Sequence, residues 1–373
     1  MTAAAPPPDL AILGSYPPPY GGVAVHVQRL CPLLEARGVR FVVYNATGDF
    51  GDGRRVVSVF SQRRSWIIRY AFTSRERAVF LMSDRLTTWV AAALMVMLRG
   101  KRVAIRLRNA ALPDWITQSG WRRRLAGFAL RRMTAVVCVS PLLMKSARSL
   151  GVPSDRLHLS PGFLPPADAQ ADGNAVNPEV LDFVHRRGPI IAANGKVDWY
   201  RGEDLYGLDH LLELAARLKP DYPNIGVVAC MWNHLPGDDD YIQKLREEAR
   251  RRGVSDAVLF NTRSGVFVPV LAEADVFIRP TNTDGDANSV REGLYFGIPT
   301  IASDAVERPP GTILFRTRDI DDMEAKVRTV LQRRGPDERP SPELRAEDRA
   351  RIDRYLDLLE SLARGGTSPA RLV

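Results

Sequence analysis

The chain repeats one pattern of hydrophobic and polar positions: a short apolar run, a loop, and a stretch with apolar residues at helical spacing. Residues 10–13 form such a run, and residues 21–37 follow with apolar side chains every three or four positions. Gly38 ends that stretch, and an apolar run resumes at 40–44. Short apolar runs between Gly- and Pro-rich turns predict buried strands, and the stretch between them predicts a crossover helix. The pattern therefore predicts a βαβ unit and a parallel sheet.

The same alternation continues to about residue 150 and starts again near residue 189. Further strands are predicted at 78–82, 102–105 and 135–139, and then at 189–193, 225–230, 258–260, 276–278 and 300–302. Helices are predicted at 141–150, with Ser140 as the cap, and at 208–218, 241–252 and 342–364. We therefore predict two doubly wound α/β domains, 1–166 and 189–341, a linker at 167–188 that is rich in Pro, Ala, Asp and Gly, and a C-terminal helix and tail at 342–373.

Composition narrows the class of protein. Of 373 residues, 45% are hydrophobic and 25% are charged, which is too apolar for a disordered chain and too charged for an integral membrane protein. The net charge of +9 divides unevenly, because residues 1–166 carry +16 and the remainder carries −7. A basic half of this kind favours a polyanion, a membrane surface or an acidic substrate as the partner.

The spacing of the cysteines and the length of the apolar runs indicate the cellular compartment of the protein. Cys31, Cys138 and Cys230 lie far apart without C-x-x-C spacing, so neither a disulfide framework nor a zinc site is expected. The Ala- and Pro-rich start does not read as a signal peptide, and the longest apolar run, 89–98, has half of the ~20 residues that a membrane span needs. We predict a cytoplasmic protein, with peripheral contact on the cytosolic membrane face as a further expectation.

Two loops that follow predicted strands suit phosphate binding. At Gly21 and Gly22 a backbone without side chains lets a phosphate approach the amides of a helix start; a turn that needs positive φ is the alternative explanation. Lys196 and Arg201 lie five residues apart and can clamp a diphosphate and stabilise it as a leaving group. Ordinary solvated surface charge is the alternative for these two cations.

The most polar loop, 279–288, leaves the strand 276–278 and enters a helix near Ser289. Ligands bind at such carboxyl ends of parallel strands. The helix-start amides at Asn288 and Ser289 can hold phosphate, while Asp284 and Glu292 can accept hydrogen bonds from sugar hydroxyls. Structure alone does not readily account for so polar a loop.

These motifs, and the order in which they occur along the chain, resemble those of the retaining, nucleotide-sugar-dependent glycosyltransferases of family four. Gly21 and Gly22, followed by Val23, His26 and Val27, are similar to the family's N-terminal glycine loop and helix. Gly195-Lys196 and Arg201-Gly202 occupy the places of its Gly-Arg and Lys-Gly pairs, with the two cations exchanged. Asp284 and Glu292 are eight apart, as in its Glu-x7-Glu motif, with Asp for the first Glu.

The resemblance implies a GT-B fold: two Rossmann-like doubly wound domains that face each other across a cleft, with the C-terminal helix crossing back to the first domain. The first domain would bind the acceptor and the second the nucleotide sugar. Lys196, Arg201 and Asp284 would be the catalytic residues. Gly21, Gly22, Asn288 and Ser289 would join them in binding the donor, with Glu292 on the ribose and Asp284, or its rival Asp286, on the donor sugar.

The same resemblance implies transfer from a nucleotide sugar to a glycan or lipid-linked acceptor, and we expect a UDP-sugar in preference to a GDP-sugar. The basic first half and the cationic segment described below favour a lipid-diphosphate-linked acceptor, and with it bacterial surface polysaccharide assembly. Front-face attack needs no dedicated protein base. No cofactor and no metal are expected, because Lys196 and Arg201 supply the charge; the aspartates at 238–240 and 284–286 only mimic a metal-binding Asp-x-Asp.

The first domain differs from the family pattern after its fourth predicted strand, 102–105, where family members often have a His. Arg106, Arg108 and Asn109 occupy this region, and we take them as candidates for acceptor binding. His26 is expected to pack in the core rather than to act as a base.

Part of the positive charge of residues 1–166 is concentrated in a cationic segment, 121–132. Its candidate membrane-interface residues are Trp121, Arg122, Arg123, Arg124, Arg131 and Arg132. A cationic amphipathic helix can lie in an anionic bilayer interface, and a surface helix packed on the sheet is the alternative. Residues 66–70 form a second candidate patch.

Other classes of function stay open at this point. A sugar epimerase could use the same two-domain fold without an acceptor. A dinucleotide oxidoreductase lacks its glycine fingerprint here, and no nucleic-acid-reading motif accompanies the basic half, so nucleic acid is not expected as a partner. A non-catalytic protein that binds sugar nucleotides is the remaining alternative.

Overall fold

The computed structural model describes residues 8–18, 20–108, 120–160, 163–166, 176–231, 234–263, 267–284, 287–333 and 346–366. The chain divides into two units. Unit 1 comprises Met1–Leu164 and Arg345–Val373, and unit 2 comprises Pro165–Leu344.

Helices and strands alternate along most of the described chain. They are α1 (Gly22–Ala36), α2 (Arg63–Thr73), α3 (Leu86–Arg99), α4 (Gly120–Leu130), α5 (Pro141–Ser149), α6 (Pro178–Arg186), α7 (Leu208–Leu218), α8 (Asp239–Arg251), α9 (Val268–Ala272), α10 (Asn288–Tyr295), α11 (Ile320–Arg333) and α12 (Ala346–Arg364). The predicted cap of α5 is confirmed, since the Ser140 hydroxyl accepts a hydrogen bond from the Leu143 amide at 3.3 Å.

Unit 1 contains a parallel sheet. Its strands are β1 (Leu10–Gly14), β2 (Phe41–Asn45), β3 (Val56–Ser58), β4 (Ala78–Leu81), β5 (Arg102–Leu107), β6 (Ala135–Cys138) and β7 (Leu157–Leu159), in the order β3-β2-β1-β4-β5-β6-β7. β1, β4 and β6 are buried along their whole length, as expected of strands covered on both faces. The strand order reverses between β1 and β4, so the loops that follow these strands border the ligand-binding position of this fold.

The C-terminal helix α12 belongs to unit 1 and packs against α1, β4 and β5. It buries Ile352, Tyr355 and Leu359. Arg37 forms an ion pair with Asp353 at 3.1 Å, and the Arg102 guanidinium donates to the Leu362 carbonyl at 2.7 Å, which satisfies a carbonyl at the end of the helix. The last helix therefore returns to the first unit, as the fold class implies.

Unit 2 has a second parallel sheet and a small antiparallel hairpin. The sheet consists of β8 (Ile190–Gly195), β11 (Gly226–Met231), β12 (Val258–Asn261), β13 (Val276–Arg279), β14 (Thr300–Ser303) and β15 (Ile313–Phe315), in the order β12-β11-β8-β13-β14-β15, and the hairpin of β9 (Trp199–Tyr200) and β10 (Glu203–Asp204). Here the order reverses between β8 and β13, which pair through Ala192 and Phe277. The Lys196 loop and the polar loop therefore leave neighbouring strands of one sheet.

The α/β fold class predicted from the sequence is confirmed, and two details differ. The edge strands β3, β7 and β15 were not predicted, because three-residue strands carry too little pattern. The predicted linker at 167–188 contains α6: Asn177 caps it by accepting from the Glu179 amide at 3.2 Å, and Val180 and Val184 are buried one turn apart. Asn-Pro-Glu is a helix-start signal, which the Pro-rich composition of the segment obscured.

Candidate functional site

The two predicted phosphate-binding cations lie at the β9–β10 hairpin and in the loop before it. Lys196 lies before it and forms an ion pair with Asp198 at 2.6 Å, and this hydrogen bond lowers the pKa of the Asp198 carboxyl. Arg201 and Gly202 form its two-residue turn with φ of 56° and 83°. Two positive φ values match the twist of a tight hairpin, and the turn leaves the Arg201 side chain exposed.

Asp204 anchors the base of this hairpin. Its buried carboxylate accepts from the Leu208 amide at the start of α7 at 2.9 Å and from the Tyr241 hydroxyl at 2.8 Å. Burial raises the pKa of Asp204, and the hydrogen bond from Tyr241 opposes that rise. The Trp199 ring packs edge-on against Tyr241 with centroids 4.8 Å apart. Arg201 therefore stands on a hairpin that is fixed to two helices, and Lys196 lies in the loop directly before it.

Gly195, which precedes Lys196, is required by close packing. A Cβ at this position would lie 2.8–2.9 Å from the Tyr206 side chain, closer than real contacts allow. Tyr206 in turn lies under the Arg279 guanidinium, 4.9 Å from the ring centroid. The glycine of the predicted Gly-Lys pair thus lets Tyr206 connect the loop after β8 to the end of β13.

Asp284 lies in a network with two arginines. Its carboxylate accepts from Arg279 Nε at 2.9 Å and Nη2 at 3.1 Å, and from Arg308 Nη1 at 2.9 Å. The side chains of Arg279, Arg308 and Asp284 are only 8%, 2% and 10% exposed. Burial raises the pKa of Asp284, but the two guanidinium groups outweigh it and hold the pKa below its ordinary value.

This network joins the ends of three strands. Arg279, the last residue of β13, also donates to the Asn194 carbonyl in β8 at 2.9 Å. Arg308 donates from Nε to the Ser303 carbonyl in β14 at 3.1 Å. Asp284 was expected to contact the donor sugar, and the structure gives it these arginine partners. Sequence reasoning did not single out Arg279 or Arg308, because nothing local distinguishes an ion-paired arginine from a solvated one.

The residues expected to hold the nucleotide lie at the start of α10. Asn288 is its first residue, and Ser289 and Glu292 are each 5% exposed. The helix packs tightly on the sheet, since a Cβ at Gly293 would lie 2.3 Å from the Thr300 hydroxyl oxygen. Asp286, the rival of Asp284, is outside the described residues. The structure therefore places Asn288, Ser289 and Glu292 on one short helix, directly after the polar loop.

In unit 1, the predicted glycine loop opens α1. Gly21 precedes the helix with φ of −127°, and no side chain caps the helix start. Neither Gly21 nor Gly22 has positive φ, so the alternative of a turn that needs positive φ is wrong. A Cβ at either glycine would have no neighbour within 4 Å. Among the described atoms, the glycines leave open space at the helix start, where backbone amides are free of helix partners.

The predicted acceptor-side arginines have different surroundings. Arg106 is buried in β5 and donates to the Ser160 hydroxyl at 3.1 Å. Arg108 follows β5 and pairs with Asp84, which follows β4, at 3.0 Å. Burial raises the pKa of Asp84, and Arg108 opposes that rise. Asn109 lies outside the part of the chain that the structure describes. Arg108 and Asp84 are thus a partly exposed pair at the carboxyl ends of two neighbouring strands.

His26 is a packing residue. It is 2% exposed, and its Nε2 lies 3.1 Å from the Tyr355 hydroxyl of α12. Burial, together with the charges of Arg106 and other arginines, lowers the pKa of His26 well below its ordinary value. The imidazole is therefore neutral and enclosed.

The cationic helix α4 combines the two interpretations drawn from its sequence. Ala126, Ala129 and Leu130 are buried, while Trp121 is 60% exposed. Arg122, Arg123 and Arg124 are exposed beside it. Arg131 and Arg132 instead donate to the carbonyls of Leu150 and Phe128 at 2.8 and 2.9 Å, which ties them to unit 1. The first turns of the helix present an exposed cationic surface.

Within the described chain, no helix is both long and apolar enough to cross a membrane. No group of three or more His, Cys, Asp or Glu side chains in the described ranges has the arrangement of a metal site.

The chain is similar to known glycosyltransferases in sequence and fold. Residues 20–167 match the family model of Glycosyltransferase Family 4, and no curated protein sequence matches the chain. HepE from Anabaena, solved in complex with UDP-glucose, is 15% identical with a TM-score of 0.59, over 87% of this chain and 90% of that one. A UDP-forming α,α-trehalose-phosphate synthase from Burkholderia xenovorans is 15% identical with a TM-score of 0.60, over 96% and 97%. The lipopolysaccharide outer core galactosyltransferase WaaB is 12% identical with a TM-score of 0.52, over 95% and 99%.

The two parallel-sheet units and the returning C-terminal helix have the architecture of the GT-B fold. The match of residues 20–167 to the family model agrees with the resemblance drawn from the motifs.

Proposed function

We propose that this enzyme transfers a sugar from a UDP-sugar to a glycan or lipid-diphosphate-linked acceptor with retention of anomeric configuration. The observation that carries the proposal is the pairing of β8 and β13 at the point where the sheet of unit 2 reverses its strand order. Nucleotides bind beyond the carboxyl ends of such strands. The structures of HepE in complex with UDP and with UDP-glucose support a UDP-sugar as the donor.

The donor would bind to the loops of unit 2. Lys196 and Arg201 would neutralise the diphosphate as it departs, and the amides at Asn288 and Ser289 would hold its phosphate oxygens. Glu292 would accept hydrogen bonds from the ribose. Because two cations already supply positive charge to the leaving group, we propose a transfer without a metal ion or another cofactor.

Retention would follow from attack on the same face that the leaving group departs from. The acceptor hydroxyl would pass its proton towards the leaving phosphate, so that no protein base is required. The burial of His26 supports a mechanism without a protein base, because a neutral imidazole that is 2% exposed cannot reach a substrate hydroxyl.

The acceptor would be bound by unit 1. The pair Arg108–Asp84 supplies groups for its phosphate and hydroxyl oxygens, while the open start of α1 at Gly21 and Gly22 would bind phosphate of the donor. The +16 charge of residues 1–166 suits a diphosphate-linked acceptor. We propose that the acceptor lies at the cytosolic face of a bacterial membrane, that the first turns of α4 contact this membrane, and that the product enters surface polysaccharide.

Thermal shift against UDP-, GDP- and ADP-sugars tests the donor. We expect UDP-sugars to stabilise the protein by more than the GDP- and ADP-sugars do, and Glu292→Ala to lose that stabilisation and the transfer activity. The matched control is Glu179→Ala, which removes an exposed carboxylate of unit 2. An intact transfer rate in Glu292→Ala contradicts the proposed site, and turnover of a UDP-sugar without an acceptor indicates an epimerase.

A further inference from the structure

Asp198 lies beside Lys196, one of the two cations expected to meet the diphosphate of the donor. The Lys196 Nζ and the Asp198 Oδ2 are 2.6 Å apart, and the two side chains are 28% and 41% exposed. A ligand can therefore approach Lys196, but the ammonium already holds an anionic partner. The proposed function gives Lys196 a role and gives Asp198 none.

The start of the β9–β10 hairpin orients the Asp198 carboxylate. Asp198 directly precedes β9, and its Oδ1 accepts a hydrogen bond from the Trp199 amide at 2.9 Å. Its backbone carbonyl accepts from the Leu205 amide at 2.9 Å, which closes the base of the hairpin. The two carboxylate oxygens thus have separate partners, the Trp199 amide on Oδ1 and the Lys196 ammonium on Oδ2.

The Lys196–Asp198 pair shares its charged surroundings with the Asp284 network. Burial raises the pKa of Tyr206, and four charged side chains near it also act on that pKa: Arg279, Asp284, Lys196 and Asp198. The Arg279 guanidinium lies over the Tyr206 ring, 4.9 Å from its centroid. Asp198 therefore adds negative charge at the carboxyl ends of β8 and β13, where the nucleotide is expected to bind.

Folding stability does not account for a carboxylate at this position. Ion pairs between partly exposed side chains contribute little to stability, and the hydrogen bond to the Trp199 amide needs only a neutral oxygen. The negative charge has a direct effect on an anionic ligand. A diphosphate that approaches Lys196 is repelled by the Asp198 carboxylate and competes with it for the ammonium.

We propose that the diphosphate of the donor displaces Asp198 from Lys196, and that Asp198 pairs with Lys196 again when the nucleoside diphosphate leaves. This inference rests on the proposed function and gives a role to a residue that does not hold the donor. The released diphosphate carries more negative charge than the nucleotide sugar, because its terminal phosphate is no longer esterified. Asp198 therefore repels the product more strongly than the substrate, which favours the exchange of UDP for a new UDP-sugar.

Calorimetry on Asp198→Asn tests the proposal. The substitution removes the negative charge and keeps an oxygen that can accept from the Trp199 amide. We expect the variant to bind UDP and inorganic pyrophosphate about five-fold more tightly than the wild type does, and to gain less affinity for UDP-glucose. Damage to the fold would weaken binding, so a gain of affinity distinguishes competition for Lys196 from a structural role.

Asp256→Asn is the matched control for the loss of one negative charge. Asp256 pairs with Lys219, and the two side chains are 51% and 27% exposed, close to the values for Asp198 and Lys196. Asp256 precedes β12 and so lies at the amino ends of the strands, away from the donor loops. This variant should bind UDP as the wild type does. In the Lys196→Ala background, Asp198→Asn should lose most of its effect, because the competition requires the ammonium.

Three results would overturn the proposal: a UDP affinity of Asp198→Asn equal to or below that of the wild type, an undiminished gain in the Lys196→Ala background, or a gain for UDP-glucose as large as the gain for UDP. Pyrophosphate keeps this inference apart from the proposed function. A wild type that does not bind UDP contradicts the proposed function. Pyrophosphate then decides on Asp198, since tighter binding by the variant supports its role and equal binding overturns it.

Discussion

Arg308 Nη1 donates to Asp284 Oδ2 at 2.9 Å, and the two side chains are 2% and 10% exposed. Asp284 also accepts two hydrogen bonds from Arg279. One carboxylate thus serves two guanidinium groups, and this cluster carries a net positive charge at the ends of β13 and β14. The cluster holds the polar loop that leads to α10, where the proposed nucleotide-binding residues lie.

Removing either partner of this pair should destabilise the protein strongly. Breaking a buried ion pair by deleting one partner costs about 3–5 kcal/mol, so Asp284→Asn and Arg308→Met should each lower the free energy of unfolding by about 3 kcal/mol. Urea unfolding measures the loss. The double variant should lose clearly less than the sum, because the two residues share one interaction.

Additive losses in the double variant would contradict the coupling. The same variants also separate stability from sugar binding. If Asp284 contacts the donor sugar in addition, Asp284→Asn should weaken UDP-sugar binding more than Arg308→Met does, as measured by calorimetry. Equal weakening in both variants indicates that Asp284 acts by positioning the loop.

Gly195→Ala should distort the loop that carries Lys196. A Cβ at this position would overlap the Tyr206 side chain, and overpacking of this kind costs about 1–3 kcal/mol. We expect a lower Tm and weaker UDP-sugar binding, because Tyr206 supports Arg279. Gly237→Ala is the matched control in unit 2, since its Cβ would meet nothing within 4 Å; an equal loss in both variants would contradict the packing argument.

More of the fold than of the candidate site could be predicted from the sequence. The long apolar strands and amphipathic helices carry enough pattern to place β1, α1 and α7 within about two residues. The hidden helix α6 shows the limit of composition, because its cap at Asn177 lies in a segment that otherwise reads as a linker. The order of strands within the sheet was not predicted, and the structure places β8 beside β13.

Side-chain partners could not be predicted from the motifs. The spacing of the motif identified Asp284. Its partner Arg308 lies 24 residues further along the chain, after β14. The pairing of β13 with β14 brings the two residues together. Trp66 and Tyr70 illustrate the same limit on a surface: they stack inward at 4.7 Å, while Ile68 between them is exposed. A sequence pattern gives the face of a helix only when the neighbouring elements are known.

Lys196→Ala and Arg201→Ala should lower kcat more than they raise the KM for the donor. Charge on the leaving diphosphate develops in the transition state, so the two cations contribute most there. We expect kcat to fall about 100-fold or more for Lys196→Ala, which is the typical effect of losing one such donor. Arg186→Ala, an exposed arginine of unit 2 with a local partner in Asp182, is the control, and a raised KM with unchanged kcat would contradict a role in leaving-group stabilisation.

His26 should make stability depend on pH below neutrality. Burial lowers its pKa in the folded protein, whereas the unfolded chain takes up a proton near the ordinary value of about 6.5. The unfolded state therefore binds more protons at this site below that pH, and stability falls as the pH is lowered through it. His26→Gln removes the titration and keeps a group that can hydrogen-bond the Tyr355 hydroxyl. Between pH 7.5 and 5.0 the wild type should lose up to about 2 kcal/mol more than His26→Gln. Urea unfolding at the two pH values measures the difference, and parallel losses in both proteins would show that the imidazole becomes protonated in the fold.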